Sequence, residues 1–172
     1  MIRIAILGDI GSGKSYFAKQ LNIPLFNADA VVSNLYFTNK FLFSKLKKIF
    51  PKYISSFPIQ KSNVIEIISA NRNNLKKIIK IVHPLVRKEM LNFLKKNKKQ
   101  KAVVLDIPLF LENELNLNND LLVYIQADKK KILNKLKKRN NFNIKIFKLL
   151  KSLQLPLSQK KETADFVINN NF

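Results

Sequence analysis

Residues 8 to 15 read Gly-Asp-Ile-Gly-Ser-Gly-Lys-Ser, and Gly8, Gly11 and Gly13 are the only glycines of the 172-residue chain. Glycine, four residues, then Gly-Lys-Ser is the spacing of a phosphate-binding loop, in which main-chain N–H groups wrap around an anion. Glycine permits the wrap because it has no Cβ to obstruct it. Lys14 adds a point charge for the β- and γ-phosphates, and the Ser15 hydroxyl can ligate Mg²⁺. A nucleoside triphosphate is the ligand such a loop fits. A chance match in a chain this long has odds on the order of one in a hundred.

A transferred phosphoryl group also needs an acceptor and a base, and the chain has only 11 carboxylates to supply one. In an open parallel sheet the ligand lies beyond the carboxyl ends of the strands. Asp29 in "FNADA" and Asp106 in "AVVLDIP" stand at two such ends. Asp29 can accept a hydroxyl proton there, or it can cap a helix starting at Ala30. Asp106 can hold Mg²⁺ through water or shape the acceptor site, or it can be a turn residue. Asp9 falls inside the loop and Asp165 at the start of the last strand.

Elements that would position these groups follow from periodicity. Arg3–Leu7, Pro24–Ala28, Ala102–Asp106, Leu121–Ile125 and Phe166–Ile168 read as strands, and the central ones are apolar on both faces. Ser15–Leu21, Lys61–Ala70, Asn74–Asn97, Lys129–Lys138 and Ile144–Leu153 read as helices, with Pro84 breaking or restarting the long one. Strands alternating with helices predict one α/β domain over residues 1–172, a parallel sheet with helices on both faces. No repeat or Gly/Ser linker argues for a division.

Composition narrows the class. Hydrophobic content of 47% with 13 Phe describes a folded chain, and the lack of Cys excludes disulfides and thiolate metal sites. The N-terminal apolar run is too short for a signal or membrane helix, so a soluble cytoplasmic protein with no membrane partner is expected. Net charge is +21, yet only four of the 32 basic residues are Arg (Arg3, Arg72, Arg87, Arg139). Specific nucleic-acid readers favour Arg. Scattered Lys with abundant Asn, Ile and Phe is what adenine- and thymine-rich codons produce, so no specific nucleic-acid partner is expected. A guanine-reading Asn-Lys-x-Asp motif is missing, and ATPase modules of larger machines run longer. A small-molecule kinase fits the size.

"GDIGSGKS", "NADA", "VHPLVRKEM", "VVLDIPLFLE" and "ADFVINN", in that order, resemble the dephospho-CoA kinase family over nearly the whole chain. The family pattern is a Gly-Ile-Gly-Ser-Gly-Lys-Ser loop, Asp-Ala-Asp, His-Pro, an apolar strand into Asp-x-Pro-Leu-x-x-Glu, and Ala-Asp-x-Val-Ile-x-Asn. The resemblance implies ATP-dependent phosphorylation of the ribose 3′-hydroxyl of dephospho-CoA, with Mg²⁺. Gly8, Gly11, Ser12, Gly13, Lys14, Ser15 and Tyr16 would bind the ATP phosphates, and Asn170 would sit near the adenine. Asp29 would be the base. His83, Arg87, Asp106 and Pro108 would face the acceptor, partly in a helical subdomain over about 30–99. Family lid segments carry two basic residues four apart, here Lys135 and Arg139 within a lid at about 129–153, and Arg139 would reach the transferring group. The chain departs from the pattern at Asn27, which replaces the first acid of Asp-Ala-Asp, at Tyr16, at Ile132 and at Lys135. From the residues alone, His83 reads as a packed helix residue and Lys135 with Arg139 as a solvated helix face. Another nucleotide kinase of this fold, or a basic nucleic-acid-binding protein, remains the alternative.

Overall fold

The computed structural model describes residues 1–138 and 142–171 and divides into two compact units, Met1–Asn27 with Leu94–Phe172, and Ala28–Phe93.

The first unit is built on a five-stranded sheet: β1 (Ile2–Gly8), β2 (Leu25–Asn27), β3 (Ala102–Asp106), β4 (Leu121–Ala127) and β5 (Phe166–Asn170). Strand order is β2-β3-β1-β4-β5, and every pairing is parallel. Val103, Val104 and Leu105 are consecutive and all fully buried, so both faces of β3 are covered. Each such side chain contributes roughly 1.5–3 kcal/mol on burial. One face packs Ile6, Val104, Val123 and Ile125 against Phe17, Ala18 and Leu21, which flank or lie in α1 (Lys14–Gln20). The chain leaves β1 toward β2 and β3 on one side and reaches β4 and β5 on the other. That reversal opens a crevice beyond the carboxyl ends of the strands, where the glycine loop begins.

Three more helices belong to this unit: α6 (Lys129–Lys137), α7 (Ile144–Lys151) and α8 (Leu157–Glu162). Asp128 caps α6 through the Lys131 N–H, and Asn143 caps α7 through Lys145 and Ile146. The segment between β3 and β4 is tied down by charge. Arg3 donates to the Leu115 carbonyl and to Asp120, both under 3 Å. Glu112 accepts from the Leu155 N–H at 2.9 Å and pairs with Lys160, whose side chain is 4% exposed.

The second unit is helical: α2 (Ala28–Thr38), α3 (Lys40–Ile49), α4 (Lys61–Ala70) and the body of α5 (Asn73–Lys96). Leu35, Leu42, Leu46, Phe50, Ile54, Ile67, Ile78 and Val82 form its core. Asn39 caps α3 by accepting from the Leu42 N–H, and Gln60 with Asn63 form a capping box on α4. Pro84 neither breaks nor restarts α5, which runs through it for 24 residues. The carbonyl deprived of a partner is that of Lys80, an exposed residue that water can serve. Val82 and Met90, buried on either side, hold the two halves in one line.

The Glu112–Lys160 pair yields a stability test. Lys160→Met strands a buried carboxylate and should cost roughly 3–5 kcal/mol, whereas the double variant Lys160→Met/Glu112→Leu should lose clearly less. Urea unfolding of both proteins measures this.

Candidate active site

The loop between β1 and α1 owes its shape to contacts that exclude side chains. Gly8 has φ 143°, and a Cβ there would lie 2.7 Å from both the Ile125 carbonyl oxygen and the Ser12 hydroxyl. Gly13, at φ 96°, ψ 13°, is the N-cap of α1 and supplies no side-chain acceptor; the first turn of α1 holds no acid. With glycine at the N-cap, the start of α1 carries no side-chain cap, the arrangement in which a helix N-terminus can receive an anion. Lys14 curls over the loop and donates from Nζ to the carbonyls of Asp9 (2.7 Å) and Gly8 (3.3 Å). Ser15 and Tyr16 are exposed, Tyr16 at 70%, so the bulk of Tyr16 points away and does not crowd the helix start.

Later elements of the chain brace this loop. Ile132 and Leu136 of α6 are buried, and their side chains lie just over 3 Å from where a Gly11 Cβ would be. Asn170, the last residue of β5, donates from Nδ2 to the Ser12 carbonyl at 2.9 Å. Its amide thus holds the loop backbone.

At the neighbouring strand end Asp106 is buried and accepts from Asn27 Nδ2 at 2.6 Å, its register partner on β2. Pro108 is exposed in the turn just beyond. Asp9 is also buried; it accepts from the Ile10 N–H at 2.7 Å and pairs with Lys151 at 3.1 Å. Burial, and secondarily the Asp9 charge, raise the Tyr124 hydroxyl above its usual pKa. Composition and motif reading missed the roles of Asp9, Asn27 and Lys151, because each depends on a partner distant in the chain.

Asp29, His83 and Arg87 lie in the second unit. Asp29 is exposed in the first turn of α2, where the helix dipole favours negative charge. The alternative expectation that it caps a helix starting at Ala30 is corrected: the helix starts at Ala28 and Asp29 is within it. The β2 segment ends at Asn27, and helical dihedrals set in at once. His83 and Arg87 stand one turn apart on α5. Burial first, and the Arg87 charge second, lower the His83 pKa. A cleft of 430 Å³ in the same unit is lined by Ala30, Val31, Asn34 and Thr38 of α2 and Glu89 of α5, and neither His83 nor Arg87 is among its lining residues. Arg139 lies outside the described residues, and the Lys135 side chain is exposed.

The model of the family described as Dephospho-CoA kinase matches residues 2–172. The chain belongs to the dephospho-CoA kinase family. A dephospho-CoA kinase of Wolbachia sp. subsp. Brugia malayi (strain TRS) is 33% identical over 173 residues, covering 98% of this chain and 88% of the relative. A crystal structure of a Thermus thermophilus protein superimposes with a TM-score of 0.80 at 24% identity, covering 99% of this chain and 89% of that one. The dephospho-CoA kinase of Campylobacter jejuni matches with a TM-score of 0.65 at 23% identity, covering 98% and 88%. These two structures share the α/β fold. Dephospho-CoA kinases are ATP-dependent phosphotransferases that complete coenzyme A, which is the reaction class of this chain. Among the described residues, no helix is long and apolar enough to cross a membrane.

The His83 environment predicts a pH dependence. A lowered folded-state pKa favours the neutral ring, so its contribution to stability is full above the ordinary value of 6.5 and is lost as pH falls through the folded value. An NMR titration of the His83 ring should give a midpoint below 6.5, and Arg87→Ala should move it part of the way back.

Proposed function

We propose that the loop holds the ATP triphosphate and that Asp29 is the base for the ribose 3′-hydroxyl of dephospho-CoA. The backbone of Gly11 to Tyr16, with Gly8 at its entry, binds the phosphates. Lys14 turns from the Asp9 and Gly8 carbonyls to the β- and γ-oxygens when they arrive. The observation that carries this reading is the loop itself: all three glycines at positive φ, the last of them the N-cap of α1.

In the transfer, the Asp29 carboxylate takes the 3′-hydroxyl proton as the sugar oxygen bonds to the γ-phosphorus. The bond from that phosphorus to the β–γ bridging oxygen breaks, and ADP leaves with the electron pair. His83, Arg87, Asp106 and Pro108 serve the acceptor side, and Asn170 serves the ATP side near the adenine. Arg139, from a lid at about 129–153, adds charge to the transferring group.

The residues fit Mg²⁺. Ser15 offers an exposed hydroxyl, and the described residues contain no cluster of three or more His, Cys, Asp or Glu. That sparse donor set matches an ion that keeps its waters and binds mainly through phosphate oxygens. When bound, Mg²⁺ neutralises charge on the triphosphate. In this reading the enzyme works in the cytoplasm on small anionic substrates, and its positive surface needs no nucleic-acid partner.

Incubating the protein with Mg-ATP and a panel of acceptors tests the assignment. Dephospho-CoA should yield ADP, and nucleosides and nucleotides should not; turnover of a nucleotide alone would replace this reading with another kinase activity. Asp29→Asn should lower kcat by about 10²-fold or more while the KM for ATP stays within about threefold, because the base acts mainly in the transition state. A parallel loss of ATP affinity would make Asp29 a structural residue instead.

A further inference from the structure

The phosphate loop of this chain contains a carboxylate, Asp9, where the family's loop pattern begins with glycine. An acid beside amides that must meet a triphosphate repels the ligand it should help to hold. Asp9 is 4% exposed, so its charge is poorly screened by water. Its two oxygens are both committed. Oδ1 accepts from the Ile10 N–H at 2.7 Å and so shapes the loop; Oδ2 faces Lys151 Nζ at 3.1 Å.

Lys151 comes from the C-terminal end of α7, 142 residues further along. Its ammonium also lies 5.7 Å from the centre of the Phe147 ring, one turn earlier on the same helix. Phe147 in turn meets Phe142, with ring centres 5.8 Å apart. The aromatic platform limits where the Lys151 side chain can go, and its cation–π contact favours the charged head on the side of the loop. None of the residues of α7 is fully buried, so this ion pair is a specific tie between that helix and the loop.

We propose that Lys151 is a positioning residue of the phosphate loop: it neutralises Asp9 and fixes the carboxylate that holds Ile10, making the loop receptive to a triphosphate. The proposal rests on the nucleotide-binding reading of the loop. Lys151 acts through Asp9, so its effect belongs to ATP binding and must vanish when Asp9 carries no charge. The helix that bears Lys151 thereby sets the affinity of a loop at the other end of the sequence.

A double-mutant cycle on the full-length protein tests this. ATP affinity is measured by calorimetry, and kcat and KM by coupled assay, for wild type, Lys151→Met, Asp9→Asn and the double variant. Asp9→Asn keeps an acceptor for the Ile10 N–H while removing the charge. Lys151→Met should weaken ATP binding roughly five- to tenfold and raise KM for ATP in parallel, with kcat within about twofold. In the Asp9→Asn background the same change should alter affinity less than about twofold, and Lys151→Arg should restore most of the loss. Should Lys151→Met lower the unfolding midpoint enough to blur the titration, Lys151→Gln gives the same comparison. Equal losses in both backgrounds, or no loss in either, overturn the proposal while leaving ATP binding intact. A wild type that binds ATP no better than Lys14→Met overturns the nucleotide reading and the proposal together.

Discussion

The backbone between Gly8 and Lys14 must turn within van der Waals reach of β4 and emerge as a helix, and much of the first unit is arranged around that turn. β4 presses the Ile125 carbonyl against Gly8, α6 presses Leu136 against Gly11, and β5 sends Asn170 to the Ser12 carbonyl. α7 sends Lys151 to Asp9. Each contact is made by a different later element; three meet the loop at its backbone, and the fourth meets the Asp9 side chain, which accepts from the Ile10 N–H. Glycine supplies the permission to bend; the surrounding elements remove the freedom that glycine would otherwise leave. A loop held this way does not have to be ordered by its ligand, so less of the phosphate contact energy goes into freezing the chain.

Charge follows a related logic. In a chain with 32 basic residues and 11 acids, most Lys side chains lie in solvent, and the buried acids act as ties. Asp120 meets Arg3, Glu112 meets Lys160, Asp9 meets Lys151, and Asp106 meets the amide of Asn27. Three of these four involve a cation, and each joins segments far apart in sequence. Their value lies in specifying which segments meet, since a buried carboxylate facing nothing is far costlier than any exposed pair is favourable. The excess of positive charge matters less for the fold than the placement of the few negative groups.

Legibility of the sequence divides along the same line. The strands read within one or two residues, because a strand apolar on both faces between polar turns has no competing helical period. The helix expected at Lys61–Ala70 lies there, since its buried Val64 and Ile67 recur at helical spacing. α8, at six residues, is too short for any period to register. Pro84 misled because a local rule about N–H donors took no account of tertiary support from Val82 and Met90. The glycine loop and Asp106 at the end of β3 were legible, being local patterns, whereas Asp29 was read at a strand end and lies inside α2. The Asn27–Asp106 contact spans 79 residues and the Asp9–Lys151 contact 142, and no spacing rule reports either. The tyrosine at position 16, a departure from the family pattern, is left in solvent by the helix that carries it.

Asn27 shows how a departure from a family pattern can be absorbed. It sits in register with Asp106 on the adjacent parallel strand, with Nδ2 and Oδ2 2.6 Å apart. An aspartate at this place, as in Asp-Ala-Asp, would bring two carboxylates to that separation, where one of them must carry a proton. Asparagine has the same size and shape but offers a donor, so Asp106 faces a hydrogen bond and not a second acid. The change leaves Asp29, two residues on, untouched. Loss of the first acid therefore alters how Asp106 is held rather than removing the group to which the proton transfer is assigned. An amide–carboxylate bond needs no shared proton to form, so it ties the end of β3 to β2 in one arrangement.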